Sequence, residues 1–575
     1  MKLSFQFHTF GFTFHINQLP KTVMGVDIQQ PRFSWRISHP ERGQYQTKYK
    51  ILVSQHPSFS GDDIFWDSGI VVTNRTNDIQ YQGTTLKSDS TYFWKVTWWD
   101  SRNSQAPESE VARFDTGLFQ DSDWSQSFWL GGNDVNMFRK EFTFNNEHFQ
   151  RARVYIAVLG IFEIHLNGHK IANNKLDPGI SNPNKRIQYV CHDITNFIVQ
   201  GTNCISVLLG GGWFRQWYQQ APAFKLQISI DGNFLIVSNS EWKAFAGPIV
   251  SDSIYDGENY DARLERKGWA YAGFDDTFWQ AATPIDITYT GKFSSQLVAP
   301  VQASHLLKPL SFKRITSGIY VFDFGQTITG WVRIRLQGTR GENVTLRYAD
   351  VTTADGFLIR TSLKGAKARD SYVLDGDTNG EDYQPRFTYH GFRFVELGGF
   401  SGSVDLNTME AIVVHSSVRR VGSFHSGIQV INQIQKMVEA TTINNLMTLP
   451  TDCSDRDDRF TRLFHAHLNF EQSFYNYHMP SVWSHLLNLI VDDMSASGVV
   501  PAIIPFGVQP SSTYKNVDIT DSAAFMLLAA NLWKYYDTIS YAKEHYESLQ
   551  KWLDSERNDC RYDPGSRHIV YNQVK

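Results

Sequence analysis

Cysteine, long apolar runs and a dominant charge are all scarce in this chain, and each scarcity closes a class of function. Four cysteines in 575 residues, Cys191, Cys204, Cys453 and Cys560, are too few and too far apart for a disulfide framework. They form no CxxC or Cys/His spacing suited to zinc, so no metal site is expected. No stretch approaches the roughly eighteen apolar residues that a membrane-spanning helix needs, and no membrane partner is expected. A formal net charge of −4 and a pI near 6.5 give no electrostatic reason to bind nucleic acid or an anionic bilayer. Internal repeats and low-complexity linkers are missing too. The segment Met1 to Phe10 alternates apolar and polar residues, with His8 inside it and His15 soon after. It has no uninterrupted apolar core or small-residue cleavage site, so it does not read as a signal peptide and a cytoplasmic location is expected.

What is present is length and aromatic surface. The length predicts about four domains, and 41% hydrophobic with 19% charged residues is the balance of an ordinary soluble globular protein. Aromatics reach 14%, with 16 Trp, 25 Tyr and 40 Phe. Such rings stack on the apolar faces of sugars, but β-sandwich cores account for most of them.

Up to about residue 415 the hydrophobic period is two. Tyr49–Val53 and Tyr92–Trp99 alternate between turn clusters, the pattern of a fibronectin-III or immunoglobulin-like sandwich. Arg153–Gly160 and Phe162–Gly168 follow, with Asn167-Gly168 as a hairpin turn. Cys204–Leu209 ends in Gly210-Gly211-Gly212, which permits close backbone approach or a bulge; no helix pattern or lysine follows to make it a phosphate loop. In Tyr255–Arg263, three acids near two tyrosines fit sugar or calcium binding as well as a sandwich edge. Tyr320–Gln326 and Gly330–Leu336 read as two strands joined by a polar turn. Pro385–Arg393 reads as aromatics alternating with polar residues on a half-buried sheet, with His390 a hydrogen-bonded structural residue. Trp35 and Trp94 are candidate core residues.

At Val421 the period changes to about 3.6. Val430, Ile434, Met437, Val438 and Ile443 lie on one helical stripe. Leu468–Ile490 is helical and interrupted at Pro480; Ala523–Tyr536 and Tyr541–Leu553 are further helices, four or five in all. Between them, Asp452, Asp455, Asp457 and Asp458 crowd with Arg456 and Arg459. Thr451 or Asp452 is placed to cap a helix begun by the following residues. Carboxylates at a helix start favour ionisation, while crowding favours one retained proton. An ionised and a protonated carboxyl side by side suit glycoside hydrolysis. A charged helix start with internal Asp–Arg pairs on a solvated face fits the same pattern, and spacing leaves both readings open.

Pro450-Thr451-Asp452-Cys453, followed by Arg456-Asp457-Asp458-Arg459, resembles the signature Pro-Thr-Asp-Cys-Pro-Gln-Arg-Asp-Glu-Arg of bacterial-type α-L-rhamnosidases of glycoside hydrolase family 78. Pro31–Trp35, Tyr255–Arg263 and Pro385–Arg393 resemble other segments of that family, in the same domain order. The resemblance implies a multidomain β plus α fold: three β-sandwich or jelly-roll-like domains followed by an incomplete (α/α)6 barrel. These would be a fibronectin-III or immunoglobulin-like β-sandwich over 24–118 and a jelly-roll-like N-terminal rhamnosidase module over 119–295. A β-sandwich module over 296–415 and the N-terminal part of the catalytic barrel over 416–575 would complete the chain. The implied activity is inverting hydrolysis of terminal α-L-rhamnose. By position, Asp458 would be the general acid, and Asp452 and Arg456 would hold rhamnose hydroxyls on one concave helical surface. The implied partner is a rhamnose-containing oligosaccharide or glycoside; no cofactor is implied, and the oligomeric state is left open.

The chain also departs from the family. Asp458 stands where the family has glutamate, and Thr461, Arg462, Leu463, Phe464 and His465 replace Gly-Trp-Thr-Gly-Asp. The family's base is a glutamate of the later barrel half, so a C-terminally truncated member with impaired activity is expected. Asp518 and Asp521 lie in a stretch loosely similar to the family's Trp-Gly-Asp-Ala cleft loop, and neither is assigned as the base. The alternative is a catalytically inactive carbohydrate-binding protein.

Overall fold

A computed structural model describes residues 13–16, 22–146, 148–506, 519–563 and 568–571. Asp518 and the segment Met1 to Phe10 lie outside them. Strands fill the chain up to Ser416, and helices dominate from Gln429, as the change of period predicts. The helices are α1 (Gly212–Tyr218), α2 (Gln429–Asn444), α3 (Leu463–Asn476), α4 (Pro480–Asp493), α5 (Ile519–Ser522), α6 (Ala524–Tyr536), α7 (Ile539–Glu544) and α8 (Tyr546–Asp559). The stretch read as one helix over 541–553 is split at His545, and neither glycine nor proline accounts for the break.

The chain folds as two compact units, the first built from residues 1–125, 293–297 and 529–547. In it a three-stranded sheet (Thr13–Ile16, Arg32–Arg36, Ile79–Gln80) accompanies a six-stranded one centred on Thr91–Trp99 and Lys48–Ser54. Alternation puts Phe33, Trp35, Tyr92, Trp94 and Phe114 into one core, as expected for Trp35 and Trp94. Trp35 keeps its indole N–H satisfied by Gln46 Oε1 at 3.0 Å.

The second unit holds residues 126–292, 298–528 and 548–575. Its first part pairs Ala152–Leu159 with Arg186–Asp193 and Ala223–Ile230 in one sheet, and Met137–Phe144 with Gly201–Gly210 and Ile161–Leu166 in another. Asn167 and Gly168 both have positive φ (53° and 79°), the requirement of the tight turn that Asn-Gly signals. A helix does follow the glycine run, contrary to the sequence reading. Gly211 N–H donates to Asp252 Oδ1 at 2.7 Å, so the turn holds the chain's own carboxylate. A side chain at Gly210 would overlap the Phe387 ring, which is the close approach expected of that run.

The third β region centres on Ile319–Leu336, one continuous strand of 18 residues where two strands and a turn were expected. Residues 327–329, the expected turn, continue the strand, and a register shift between Asp323 and Ile328 falls where Gly325, Gln326 and Thr327 are exposed. That shift bends the strand without ending it. Gly257–Asp261, from the acid-rich segment, joins the same sheet parallel to Arg369–Val373. Phe387, Tyr389 and Phe392 are buried as expected, but so are Thr388 and His390 between them. The segment is therefore buried on both faces, and only its end, from His390, is strand.

A buried polar network fills this sheet. Asp370 accepts from the Glu258 N–H (2.9 Å) and the Tyr348 hydroxyl (2.6 Å), and His390 Nε2 lies 3.1 Å from it. Tyr348 stacks on His390 at 4.1 Å. Glu258 accepts from the N–H groups of Arg386 (3.0 Å) and Phe387 (3.2 Å). Burial, reinforced by the nearby Asp370, nevertheless pushes its carboxyl up to about 8. The folded chain thus holds a proton that an unfolded carboxyl, with its usual value of 4.5, releases. This stabilisation is complete below 4.5 and is lost as pH rises through about 8. Urea unfolding should therefore show stability falling over that window by up to about 1.4 kcal/mol per pH unit from this group. Glu258→Gln should flatten the fall; an unchanged slope would remove Glu258 as its source.

Candidate active site

The acidic motif is a loop, not the start of a helix. Leu446–Met447 pairs with Leu449–Pro450, and α3 begins only at Leu463, so neither Thr451 nor Asp452 is an N-cap. The base of the loop is closed by Thr451 N–H to Asn445 O (2.7 Å), Asp452 N–H to Phe460 O (2.7 Å) and Thr461 Oγ1–H to Pro450 O (2.6 Å). Inside it, Arg459 replaces the helical ladder. Its guanidinium is fully buried and donates to the carbonyls of Arg456 (2.8 Å), Asp455 (3.3 Å), Ile254 (2.6 Å) and Tyr389 (2.6 Å). The Tyr389 ring lies 4.5 Å and the Tyr255 ring 5.5 Å from that cation. The expected Asp–Arg pairing on a solvated face is thus replaced, at Arg459, by carbonyl solvation of a buried cation.

Small residues let the loop sit tight. A side chain on Gly391 would overlap Ser454, and one on Gly365 would overlap the Asp457 carboxylate. Gly365 N–H donates to Asp457 Oδ2 at 3.0 Å, and Lys364 Nζ donates to Asp458 Oδ2 at 3.2 Å. Phe460 stacks on Trp217 with centroids 5.3 Å apart. Cys453 is no nucleophile: burial, then the Asp452, Asp455 and Asp458 carboxylates, hold its thiol up at about 11 against the opposing effect of Arg456.

Asp452 lines a cavity of about 120 Å³ between α2, α3 and α4, with His465, Arg462, Asn469 and Trp483 around it. His465 Nδ1 is hydrogen-bonded to Asp452 Oδ1. Arg456 and Asp458 do not line that cavity; Asp458 faces Lys364, and Arg456 is half-buried in the loop. The three residues share one loop, but Asp452 alone reaches the helical cavity. Asn469 and Trp483 were not foreseen. Arg462, His465 or Ala466, Asn469 and Ser473 fall at three- and four-residue spacing, which gave α3 a polar face in the sequence.

Downstream carboxylates serve structure here. Asp521 Oδ1 accepts the Phe464 N–H at 3.1 Å in the first turn of α3. Asp492 and Asp493 bind Arg186 and Asn182 at 2.8 Å each and fix the end of α4. In the acid-rich segment, Asp256 bonds the Lys367 ammonium at 2.9 Å and Asp261 bonds Arg263. Among the described residues, no group of three His, Cys, Asp or Glu side chains is arranged to hold a metal ion. α2 is helical as expected, yet it buries none of its residues; Val430, Ile434 and Met437 of its apolar stripe are at least half exposed.

Sandwich modules followed by helical hairpins, with a carboxylate-rich loop packed on a sheet, define a multidomain glycosidase architecture. Residues 15–120 match the Rha78A-like N-terminal immunoglobulin domain and 147–305 the α-L-rhamnosidase N-terminal domain. Residues 313–415 match the bacterial α-L-rhamnosidase concanavalin-like domain, and 419–568 the bacterial α-L-rhamnosidase 6 hairpin glycosidase domain. The chain is 30% identical to an α-L-rhamnosidase of Alteromonas sp. (strain LOR) over 92% of its own length and 60% of the relative's. It is 28% identical to one from Formosa agariphila, over 93% and 60%. The solved α-L-rhamnosidase of Dictyoglumus thermophilum shares 34% identity and a TM-score of 0.90, covering 95% of this chain and 64% of that one. The chain belongs to the bacterial-type α-L-rhamnosidases of glycoside hydrolase family 78. It spans 60% of the length of these curated relatives.

Arg459→Met should destabilise the second unit by about 3–5 kcal/mol, because four carbonyls lose their donor while buried. Chemical denaturation measures this; a change within about 0.5 kcal/mol, the surface range, would show the guanidinium to be dispensable.

Proposed function

We propose that this chain contributes to an inverting α-L-rhamnosidase, in which Asp452 holds hydroxyls of a terminal rhamnosyl unit and Asp458 protonates the leaving oxygen. The observation that carries the reading is Asp452, inside the signature loop, lining the helical cavity and bonded to His465. A carboxylate fixed by an imidazole is a pre-oriented acceptor for sugar hydroxyls, and Arg462 at the same cavity adds a donor. Asp458 Oδ2 is taken by Lys364, so Oδ1 is the oxygen assigned to carry the proton. An inverting reaction needs a second carboxylate about 6.5–9.5 Å from the acid to activate water, and that role is given to no residue of this chain.

The departures weigh on rate. Aspartate reaches less far than glutamate by about one C–C bond, ~1.5 Å, and about 1 Å of misplacement can cost on the order of a hundredfold. Arg462 places a cation where the family has tryptophan, against an oxocarbenium-like transition state. Weak turnover of p-nitrophenyl α-L-rhamnopyranoside is therefore expected. Asp458→Glu should raise kcat/KM by about ten- to a hundredfold, and Asp458→Asn should lower it by about 10²–10⁴-fold. Undiminished turnover by Asp458→Asn would remove Asp458 from the role, and equal, negligible rates for all three would sink the hydrolytic reading of this chain.

A further inference from the structure

A second cavity, of about 690 Å³, opens on the sheet beside the signature loop. Its volume lies in the range of small-molecule sites, about 300–1,000 Å³, which the helical cavity does not reach. Arg347, Arg360, Lys364, Lys367 and Arg369 line it, against a single lining carboxylate, Glu396. Glu396 is bonded to Arg347 (Nε at 2.7 Å), Lys367 to Asp256 at 2.9 Å, and Lys364 to Asp458 at 3.2 Å. Among the described residues no carboxylate pairs with Arg360 or Arg369. Arg360 Nε is buried with no hydrogen-bond partner. Burial, then Arg347 and Arg369 nearby, hold the Arg360 guanidinium below its usual range against the opposing charge of Glu396.

One part-buried guanidinium, Arg360, with an unsatisfied Nε and crowded by two further arginines and two lysines around a cavity of ligand size, departs from a solvated basic face, where like charges spread apart. An anion with two coplanar oxygens relieves both defects, because each arginine presents a fork of donors to it. Lys364 at once lines this cavity and bonds Asp458, so a ligand group here lies one side chain from the assigned acid. Gly398 and Gly399 also line the cavity, leaving backbone open to a sugar ring. We propose that this cavity is the leaving-group subsite and that it takes an anionic sugar unit, bearing a carboxylate or a sulfate, joined to the rhamnosyl group. The placement on the leaving-group side rests on the proposed role of Asp458; the anion specificity rests on the cavity alone.

Titration calorimetry of the 575-residue chain in low salt tests it with α-L-rhamnosyl-(1→4)-glucuronate, α-L-rhamnosyl-(1→4)-glucose, α-L-rhamnosyl-(1→4)-glucose 6-sulfate, glucuronate and inorganic sulfate. The rhamnosyl glucuronate should bind about tenfold more tightly than the neutral disaccharide, as a charge-assisted pair predicts. Arg369→Gln, at an exposed position, and Arg360→Gln should each remove most of that gap and leave the neutral disaccharide unchanged. Replacing glucuronate by glucose 6-sulfate in the disaccharide distinguishes carboxylate from sulfate recognition. Equal affinities for charged and neutral disaccharides would overturn the proposal, and so would a gap insensitive to both variants when each retains the parent unfolding midpoint. Inorganic sulfate binding as tightly as the charged disaccharides would overturn the claim that a sugar is recognised. If glucuronate binds in an Arg369-dependent way while no disaccharide gains from its rhamnose, the anion site stands and the rhamnoside reading falls.

Discussion

The position of the signature loop depends on one buried cation. Arg459 lies in a loop with no internal ladder and bonds two carbonyls of that loop and two of distant chain, Ile254 and Tyr389, 205 and 70 residues away. A buried charge is tolerable only when solvated by the protein itself. Backbone oxygens do that here, with two tyrosine faces closing the remaining sides. Lysine would not substitute: its three donors radiate from one nitrogen, whereas the planar guanidinium reaches carbonyls on opposite sides. The chemistry-bearing residues are therefore located by the sheet, through a residue that touches no substrate in the proposed reaction.

The same turn of chain positions the opposing wall. Ile254 accepts from Arg459; its neighbours Tyr255 and Asp256 accept the N–H groups of Ala368 (3.2 Å) and Arg369 (2.8 Å). Asp256 Oδ1 also accepts the Lys367 N–H at 3.0 Å. Lys364 and Ala368 have positive φ (53° and 37°), sparsely populated for residues with side chains and held only where neighbours over-determine them. One turn thus sets both the acidic loop and the basic strand end beside it. Beneath it, Asp370 and His390 anchor that strand end in the sheet.

Much of this was readable in the sequence wherever periodicity or turn chemistry decides the outcome. The change at Val421, the Asn167-Gly168 hairpin and the burial of Trp35, Trp94 and Phe387 follow from local pattern. The failures share a cause, which is tertiary partners that local pattern cannot contain. Ile319–Leu336 reads as two strands because residues 327 to 329 look like a polar turn, yet partners on both sides carry the strand through. Gly210 to Gly212 hid a helix start because its carboxylate, Asp252, lies about forty residues on. The four aspartates read as a helix start because Arg459 shows nothing local about the carbonyls it binds. The apolar stripe of α2 was legible as a helix, whereas its exposure was not, since periodicity predicts which face is apolar and says nothing about what covers it.

Charge shows the limit of composition most clearly. A chain with a formal net charge of −4 gives no expectation of an anionic ligand. Yet fields act over about 8 Å at physiological salt, so what a ligand feels is the local arrangement. The fold brings a cation-lined cavity from residues 347–369 against a loop with four aspartates, and Lys364 meets Asp458 across 94 residues of sequence. Neither cluster cancels the other, because each is largely committed to its own partners: Asp457 to the Gly365 N–H, Lys367 to Asp256, Arg347 to Glu396. Among the described residues, Arg360 and Arg369 on one side have no bonded carboxylate, and on the other Asp458 Oδ1 is left by the Lys364 bond to Oδ2. A glycosidic oxygen protonated at Asp458 Oδ1 would therefore carry its leaving sugar toward unmatched positive charge. In the proposed reaction that field favours a departing unit which is itself negative.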